Sequence, residues 1–187
     1  MKPLRVVAGF ARGLHLRSVP GDKTRPITDR AKESLFNILR PFLQGAAFLD
    51  LFAGTGAVGI EALSQGAAFV RFIDNQRVAV ETISANLAVT KLGEGAHVLQ
   101  TDAFAHLAGK PDRTFDYVFI APPQYHGLWK QALLALDANP GWLVADAWVI
   151  VQLDPSEYEQ LVLANLDEFD QRKYGKVLLV FFERRAS

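Results

Sequence analysis

From Ala46 onward, short apolar runs alternate with amphipathic stretches. The runs at 48–52, 68–73, 97–100, 115–120, 148–153 and 177–182 are mostly apolar on both faces, which predicts buried strands. Between them, apolar positions recur every three or four residues and predict helices at 59–65, 78–92, 128–137 and 156–165. Strand and helix in turn mean a mostly parallel sheet covered by helices, an α/β fold. Upstream, Ala31, Leu35, Ile38, Leu39 and Phe42 keep helical spacing, so a helix is predicted over 28–42. It is capped near Thr28, leaves Arg30, Lys32 and Glu33 exposed, and ends around Pro41 and Gly45. The segment 5–17 alternates only loosely and reads as short strands turned by glycines. Residues 1–45 thus form a small N-terminal extension and 46–187 a sheet domain, with no repeat or low-complexity linker.

Composition narrows the chemistry. Half of the 187 residues are hydrophobic and 21% are charged, enough apolar surface for a core and too little charge for a disordered chain. Cysteine is absent, which excludes disulfides, thiolate metal sites, iron–sulfur clusters and cysteine nucleophiles. No apolar run approaches the roughly 18 residues that span a bilayer. The opening Met1, Lys2, Pro3, Leu4 and Arg5 lack a signal-peptide core. A cytoplasmic protein with no membrane partner and no metal is expected, with a monomer as the default. The net charge of zero hides an asymmetry: residues 1–40 hold nine basic and three acidic side chains, the remaining 147 eleven and seventeen. A positive extension on a negative body suits either a polyanion partner or a solvated basic face.

The first sheet strand runs into Asp50, Leu51, Phe52, Ala53, Gly54, Thr55, Gly56, Ala57, Val58 and Gly59, a G-x-G-x-x-G between strand and helix. Glycines let the backbone turn sharply and approach a ligand, and the helix start behind them offers free N–H groups. Asp74 ends the next strand, at the spacing where a carboxylate accepts hydrogen bonds from ribose hydroxyls. Nicotinamide dinucleotides and S-adenosylmethionine both use such a corner. Asp50 favours the second, because a carboxylate there repels a pyrophosphate and attracts an ammonium. Asp102 ends the following strand and is placed either to accept from an adenine amino group or to cap a helix.

The fourth strand ends in Ala121, Pro122, Pro123, Gln124, Tyr125 and His126. Two prolines stiffen the backbone at a strand's C-terminal end, where open α/β sheets hold their ligands. An aromatic on that turn can stack on an extruded base.

The chain resembles the RsmD-type methyltransferases, which modify the 2-amino group of a guanine in small-subunit (16S) ribosomal RNA. The resemblance rests on Arg25 to Asn37 (RPITDRAKESLFN), on Leu49 to Leu63 (LDLFAGTGAVGIEAL), and on Tyr174 and Gly175 before the last strand. It implies a Rossmann-like class I methyltransferase with a seven-stranded, mostly parallel sheet whose last strand is antiparallel. It also implies S-adenosylmethionine held by Asp50, Phe52, Ala53, Gly54, Thr55, Gly56, Gly59, Asp74, Asn75, Asp102, Ala103 and Ala121. Ribosomal RNA, or a partly assembled small subunit, would meet Arg5, Arg12, Arg17, Arg25, Thr28, Arg30 and Lys32.

The chain departs from the pattern at one place. Relatives that methylate amino groups commonly have Asp or Asn before the two prolines and an aromatic directly after; here Ala121 stands before the prolines, and Gln124, which looks like an insertion, precedes Tyr125. The expected replacement acceptor for the target amino group is the Pro122 carbonyl, helped by Gln124, with Pro123 stiffening the ledge and Tyr125 stacking from one residue further on. In-line methyl transfer needs alignment rather than a strong base, so His15 and His126 carry no catalytic expectation. A methyltransferase for another base or a small molecule, and a non-catalytic assembly factor, are the alternatives.

Overall fold

Strands whose successive side chains feed two separate cores define the architecture. The structure is a computed structural model and describes residues 3–22 and 26–186. Its strands are β1 (Ala47–Asp50), β2 (Phe69–Asp74), β3 (Ala96–Gln100), β4 (Phe115–Ile120), β5 (Leu143–Leu153), β6 (Leu166–Tyr174) and β7 (Val177–Arg184). They form one sheet in the order β3-β2-β1-β4-β5-β7-β6. β7 runs antiparallel to β5 and β6, and every other neighbouring pair is parallel. This is the seven-stranded, Rossmann-like arrangement expected, with its last strand reversed.

The helices are α1 (Asp29–Leu43), α2 (Ala57–Ser64), α3 (Arg77–Thr90), α4 (Ala103–Ala108) and α5 (Leu128–Ala138). Leu35, Phe36 and Leu39 of α1, Ile60 of α2 and Ile83 of α3 pack with Phe48, Phe72, Phe119, Leu179 and Phe181 on one face. Leu107 of α4 and Leu133 and Leu136 of α5 pack with Leu49, Ile73, Val118, Val149, Val180 and Phe182 on the other. Trp142 is buried in this second core, where its indole N–H donates to the Leu107 carbonyl at 3.1 Å.

Four expectations are corrected. No helix forms over 156–165: a single 3-10 turn (Pro155–Glu157) is followed by irregular chain. There Leu161 and Leu163 pack inward while Val162 is 99% exposed, a two-residue alternation that a helix cannot give. The buried Asp137 carboxylate accepts from the Ala164 and Asn165 N–H groups and holds this chain to α5. The second correction is β6, whose polar LDEFDQRKY pattern gives no strand signal. Among the described residues it pairs only with β7, and its charged outward side chains suit an edge strand that must not recruit another edge.

The third correction concerns α1. Thr28 caps it as expected, its Oγ1 accepting from Ala31 N at 3.2 Å. The buried stripe is rotated, however: Phe36 and Leu43 point inward and Phe42 is 64% exposed. Lys32 turns inward with them and is fully buried. Its Nζ lies 3.3 Å from the equally buried Glu61 carboxylate and donates to the Arg5 carbonyl. The expected exposed Lys32 is therefore a core ion pair, and its ammonium cannot reach a phosphate at the surface.

The same Glu61 carboxylate accepts from Val7 N and Ala8 N at 3.0 and 2.9 Å, straps the extension to α2 and satisfies two edge donors. Ser64 Oγ accepts from Ala11 N and donates to the Ala8 carbonyl. Gly9 adopts φ +82°, and a Cβ there would lie 1.9 Å from the Ser64 carbonyl oxygen, so only glycine permits this approach. Val6, Ala11, Leu16 and Ile27 share the core of α1 to α3. In place of the expected short strands, segment 5–17 makes one antiparallel bridge, Arg5 to His15.

Candidate active site

Chain order reverses between β1 and β4, which lie side by side at the centre of the sheet. Such a switch point opens a crevice beyond the strands' C-terminal ends. The loop after β1 crosses it. Gly54 and Gly56 take left-handed conformations, φ +56° and +78°, that turn the chain from β1 into α2. Gly59 serves packing instead: a Cβ there would lie 2.3 Å from the Phe72 ring on β2. Thr55 Oγ1 accepts from Ala57 N at 3.2 Å and caps the turn.

The carboxylates converge on this loop. Asp74 Oδ2 accepts from Gly54 N at 3.0 Å and Oδ1 from Gln76 N at 2.9 Å, so the end of β2 holds the loop directly. Asp50 is 2% exposed, and its Oδ2 accepts from Gly59 N at 3.1 Å. Burial pushes the Asp50 carboxyl up to about 7; the Gly59 hydrogen bond opposes this and the nearby Asp74 charge adds to it. A buried acid in that state gains most when a cation arrives beside it.

Asp102 is exposed and caps α4, accepting from Ala105 N through Oδ1 at 2.9 Å, as the capping alternative required. Its other oxygen makes no hydrogen bond to the described residues. Phe52 is half-buried and meets the Phe104 ring edge-on at 6.1 Å. Ala53 and Ala103 are buried, Ala121 is half-buried and Asn75 is exposed at the end of β2. The residues expected at the cofactor thus gather at the C-terminal ends of β1, β2, β3 and β4.

The ledge after β4 places Pro122 inside and Pro123, Gln124 and Tyr125 at the surface. Tyr125 is 67% exposed and takes a left-handed backbone, φ +66°. Its hydroxyl donates to Asp154 Oδ2 at 2.9 Å, and its N–H to Glu157 Oε1 at 2.7 Å. Neither acid stands out in the sequence, because Asp154 follows the expected strand and Glu157 falls inside the helix expected over 156–165.

The basic extension is divided. Arg12, Arg17 and Arg30 are exposed, Arg30 standing 6.0 Å over the Tyr174 ring. Arg5 pairs with Asp29 at 3.0 Å. Thr28 is used as the helix cap, and Arg25 lies outside the described residues. A recess of about 600 Å³ runs beside α1, lined among others by Arg12, Glu33, Asn37, Arg40 and Gln65. It lies by the C-terminal end of α2, whereas the crevice described above lies by its N-terminal end, so the two do not coincide.

Asn86 is a further site residue that the sequence reading passed over. It is fully buried on α3, accepts from Arg17 N at 2.7 Å, and donates to the carbonyls of Arg17 and Thr55 at 3.1 and 2.9 Å. The available signal was a polar residue on the apolar stripe with Ile83 and Leu87.

Among the described residues, no helix is long and apolar enough to cross a membrane. Comparison with known proteins agrees with the fold. A family model described as conserved hypothetical protein 95 matches residues 4–183. The chain is 35% identical to ribosomal RNA small subunit methyltransferase D of Escherichia coli (strain K12), over 98% of this chain and 91% of that protein. It is 34% identical to YlbH of Bacillus subtilis (strain 168), over 98% and 100%. The solved structure of yhhF from Escherichia coli superposes with a TM-score of 0.88 at 35% identity, covering both chains completely. An RNA methyltransferase from Salinibacter ruber, in complex with S-adenosyl-L-homocysteine, shares the fold with a TM-score of 0.66 at 12% identity over 87% of this chain and 95% of that one. The chain belongs to the conserved hypothetical protein 95 family, the RsmD-type methyltransferases that its motifs resemble.

Proposed function

We propose that the chain is an S-adenosylmethionine-dependent methyltransferase acting on the exocyclic 2-amino group of a guanine in small-subunit (16S) ribosomal RNA. The observation that carries the cofactor assignment is the pair of acids on the glycine loop: Asp50, buried beneath it, and Asp74, bonded to Gly54. The donor set fits the group. A buried carboxyl pushed up to about 7 suits an ammonium, and a Cβ at Gly54 would meet nothing within 4 Å, so the loop leaves room for a ligand. Family membership and the name of the Escherichia coli relative support the RNA target.

When bound, the cofactor supplies a methyl group already activated by its positive sulfur. Asp50 would hold the amino-acid end, Asp74 the ribose hydroxyls, and the second oxygen of Asp102 the adenine amino group. Phe52, Ala53, Thr55, Asn75, Ala103 and Ala121 would enclose them. The remaining work is alignment and exclusion of water, which intramolecular positioning makes effective without a general base. The Pro122 carbonyl, with Gln124, would accept from the target amino group and turn its nitrogen toward the donor. Tyr125 would stack on the extruded base, a contact worth about 1–3 kcal/mol in single-strand binders. Arg5, Arg12, Arg17, Arg25 and Arg30 would track phosphates around it, on a partly assembled subunit in the cytoplasm.

A labelled-methyl assay on small subunits lacking the modification, followed by nucleoside analysis, tests this reading. Guanine methylated at the 2-amino group is expected. Methylated adenine would favour the reading that Ala121 suggests, a changed target base. Cofactor binding without transfer to any RNA would favour an assembly factor.

A further inference from the structure

Tyr125 is tied at both of its polar ends while its ring stays in solvent. The prolines before it restrict the chain, and its own backbone sits in the left-handed region that tyrosine rarely adopts. Such a conformation persists where neighbours over-determine it. The neighbours are the first residues past β5, which is adjacent and parallel to β4 with Ile120 opposite Val151, so both strands release their chains side by side. Asp154 takes the hydroxyl on Oδ2 and Glu157 takes the N–H on Oε1.

Asp154 is itself fixed, and Glu157 depends on Tyr125 in return. Asp154 Oδ1 accepts from Ser156 N at 2.9 Å and Ser156 Oγ at 2.6 Å, closing the turn that begins at Pro155. Glu157 Oε2 is buried with no hydrogen-bond partner among the described residues, so the Tyr125 N–H is the compensation this carboxylate has. Two carboxylates beside a surface meant for a polyanion carry an electrostatic cost, which makes a purely incidental placement a poor account of them.

We propose that Asp154 and Glu157 are positioning residues that hold Tyr125, two residues beyond the second proline, as a preformed stacking platform. The proposal rests on the base-stacking role of Tyr125 in the proposed function. The ring is fixed by a hydrogen bond at its far end and by backbone geometry at its near end. The residue stays 67% exposed, and little side-chain freedom is lost when a base stacks on it.

The test is a mutant cycle on methyl transfer with a spectroscopic control. Tyr125→Phe and Asp154→Ala should each lower kcat/KM for the RNA about five- to tenfold, the loss of one hydrogen bond. The double variant should be no worse than either single one, since both remove the same contact. Asp154→Asn, which keeps an acceptor, should recover most of the loss, and S-adenosylmethionine affinity by calorimetry should be unchanged in all of them. Additive losses, or Asp154→Ala at the full rate, would overturn the proposal. Independently of transfer, an absorbance titration of wild type minus Tyr125→Phe isolates the Tyr125 phenol, which the Asp154 hydrogen bond raises above its ordinary value. Asp154→Ala should bring that midpoint down, and an unmoved midpoint would overturn the latch. If the wild type modifies no guanine but the midpoint moves, the target assignment fails while the latch stands.

Discussion

The Asn86 side-chain amide donates to the Thr55 carbonyl at 2.9 Å while its oxygen accepts from Arg17 N at 2.7 Å, so one buried side chain joins the cofactor loop to the basic extension. Truncating it to alanine would strand three backbone groups inside the protein, where an unsatisfied polar group costs about 1–3 kcal/mol. Asn86→Ala should lose about 2–4 kcal/mol in urea unfolding. Affinity for both S-adenosylmethionine and RNA should fall together. A variant that loses affinity for only one of the two would show that the loop and the extension are not held as a unit.

Asp50 makes stability and binding respond oppositely to pH. Its carboxyl is raised in the folded protein to about 7 from 3.8, so the fold favours the protonated form. That contribution is fully present below pH 3.8 and is lost as pH rises through about 7. Asp50→Asn should therefore be more stable than wild type at pH 8, by roughly 4 kcal/mol at most, with the gap closing toward pH 4. Cofactor affinity should move the other way. It should rise in wild type as Asp50 ionises and be weak and flat in Asp50→Asn across the same range, measured by calorimetry in buffers of differing ionisation enthalpy. Proton release on binding should vanish in the variant.

The strands most easily read from sequence were those buried on both faces. Val149, Ile150 and Val151 could belong to little else, and Asp50, Gly54, Gly56, Gly59 and Asp74 meet at the loop after β1 through the local backbone geometry that their spacing implies. What escaped depends on partners distant in sequence. Lys32 has the charge of an exposed residue, and Glu61 across the core together with the Arg5 carbonyl explains its burial. β6 is an edge strand whose outward polar residues mask its pairing, and Asp137 from α5 decides that the chain before it is extended. Asp154 and Glu157 gain their meaning from Tyr125, on a neighbouring strand end.

Gly59 and Gly54 should fail differently when each is changed to alanine. At Gly59 the added methyl meets Phe72 at 2.3 Å, and that ring is fully buried, so helix α2 and strand β2 must separate. Overpacking of this kind costs about 1–3 kcal/mol. At Gly54 the methyl meets nothing, but φ +56° disfavours any side chain by about 1–2 kcal/mol. Gly59→Ala should lower the melting temperature more and shift near-ultraviolet circular dichroism through its aromatic neighbour. Gly54→Ala should leave that spectrum intact while weakening cofactor binding. Equal spectral changes would mean that the loop, not the packing, governs both.

Lys32 and Arg12 separate the structural from the RNA-facing part of the basic extension. Lys32 and Glu61 are both fully buried, and removing one member of such a pair leaves an uncompensated charge, typically at about 3–5 kcal/mol. Lys32→Met should therefore lower stability by that order, yet leave the dependence of RNA affinity on salt where it was, because no phosphate reaches this ammonium. Arg12 is exposed and has no acidic partner among the described residues, so Arg12→Ala should barely alter unfolding. If it meets a phosphate of single-stranded RNA, the slope of log affinity against log salt should fall in magnitude by about 0.7. Binding measured across a salt series decides the matter: a reduced slope in Lys32→Met would return that residue to the RNA surface, and an unchanged slope in Arg12→Ala would remove Arg12 from it.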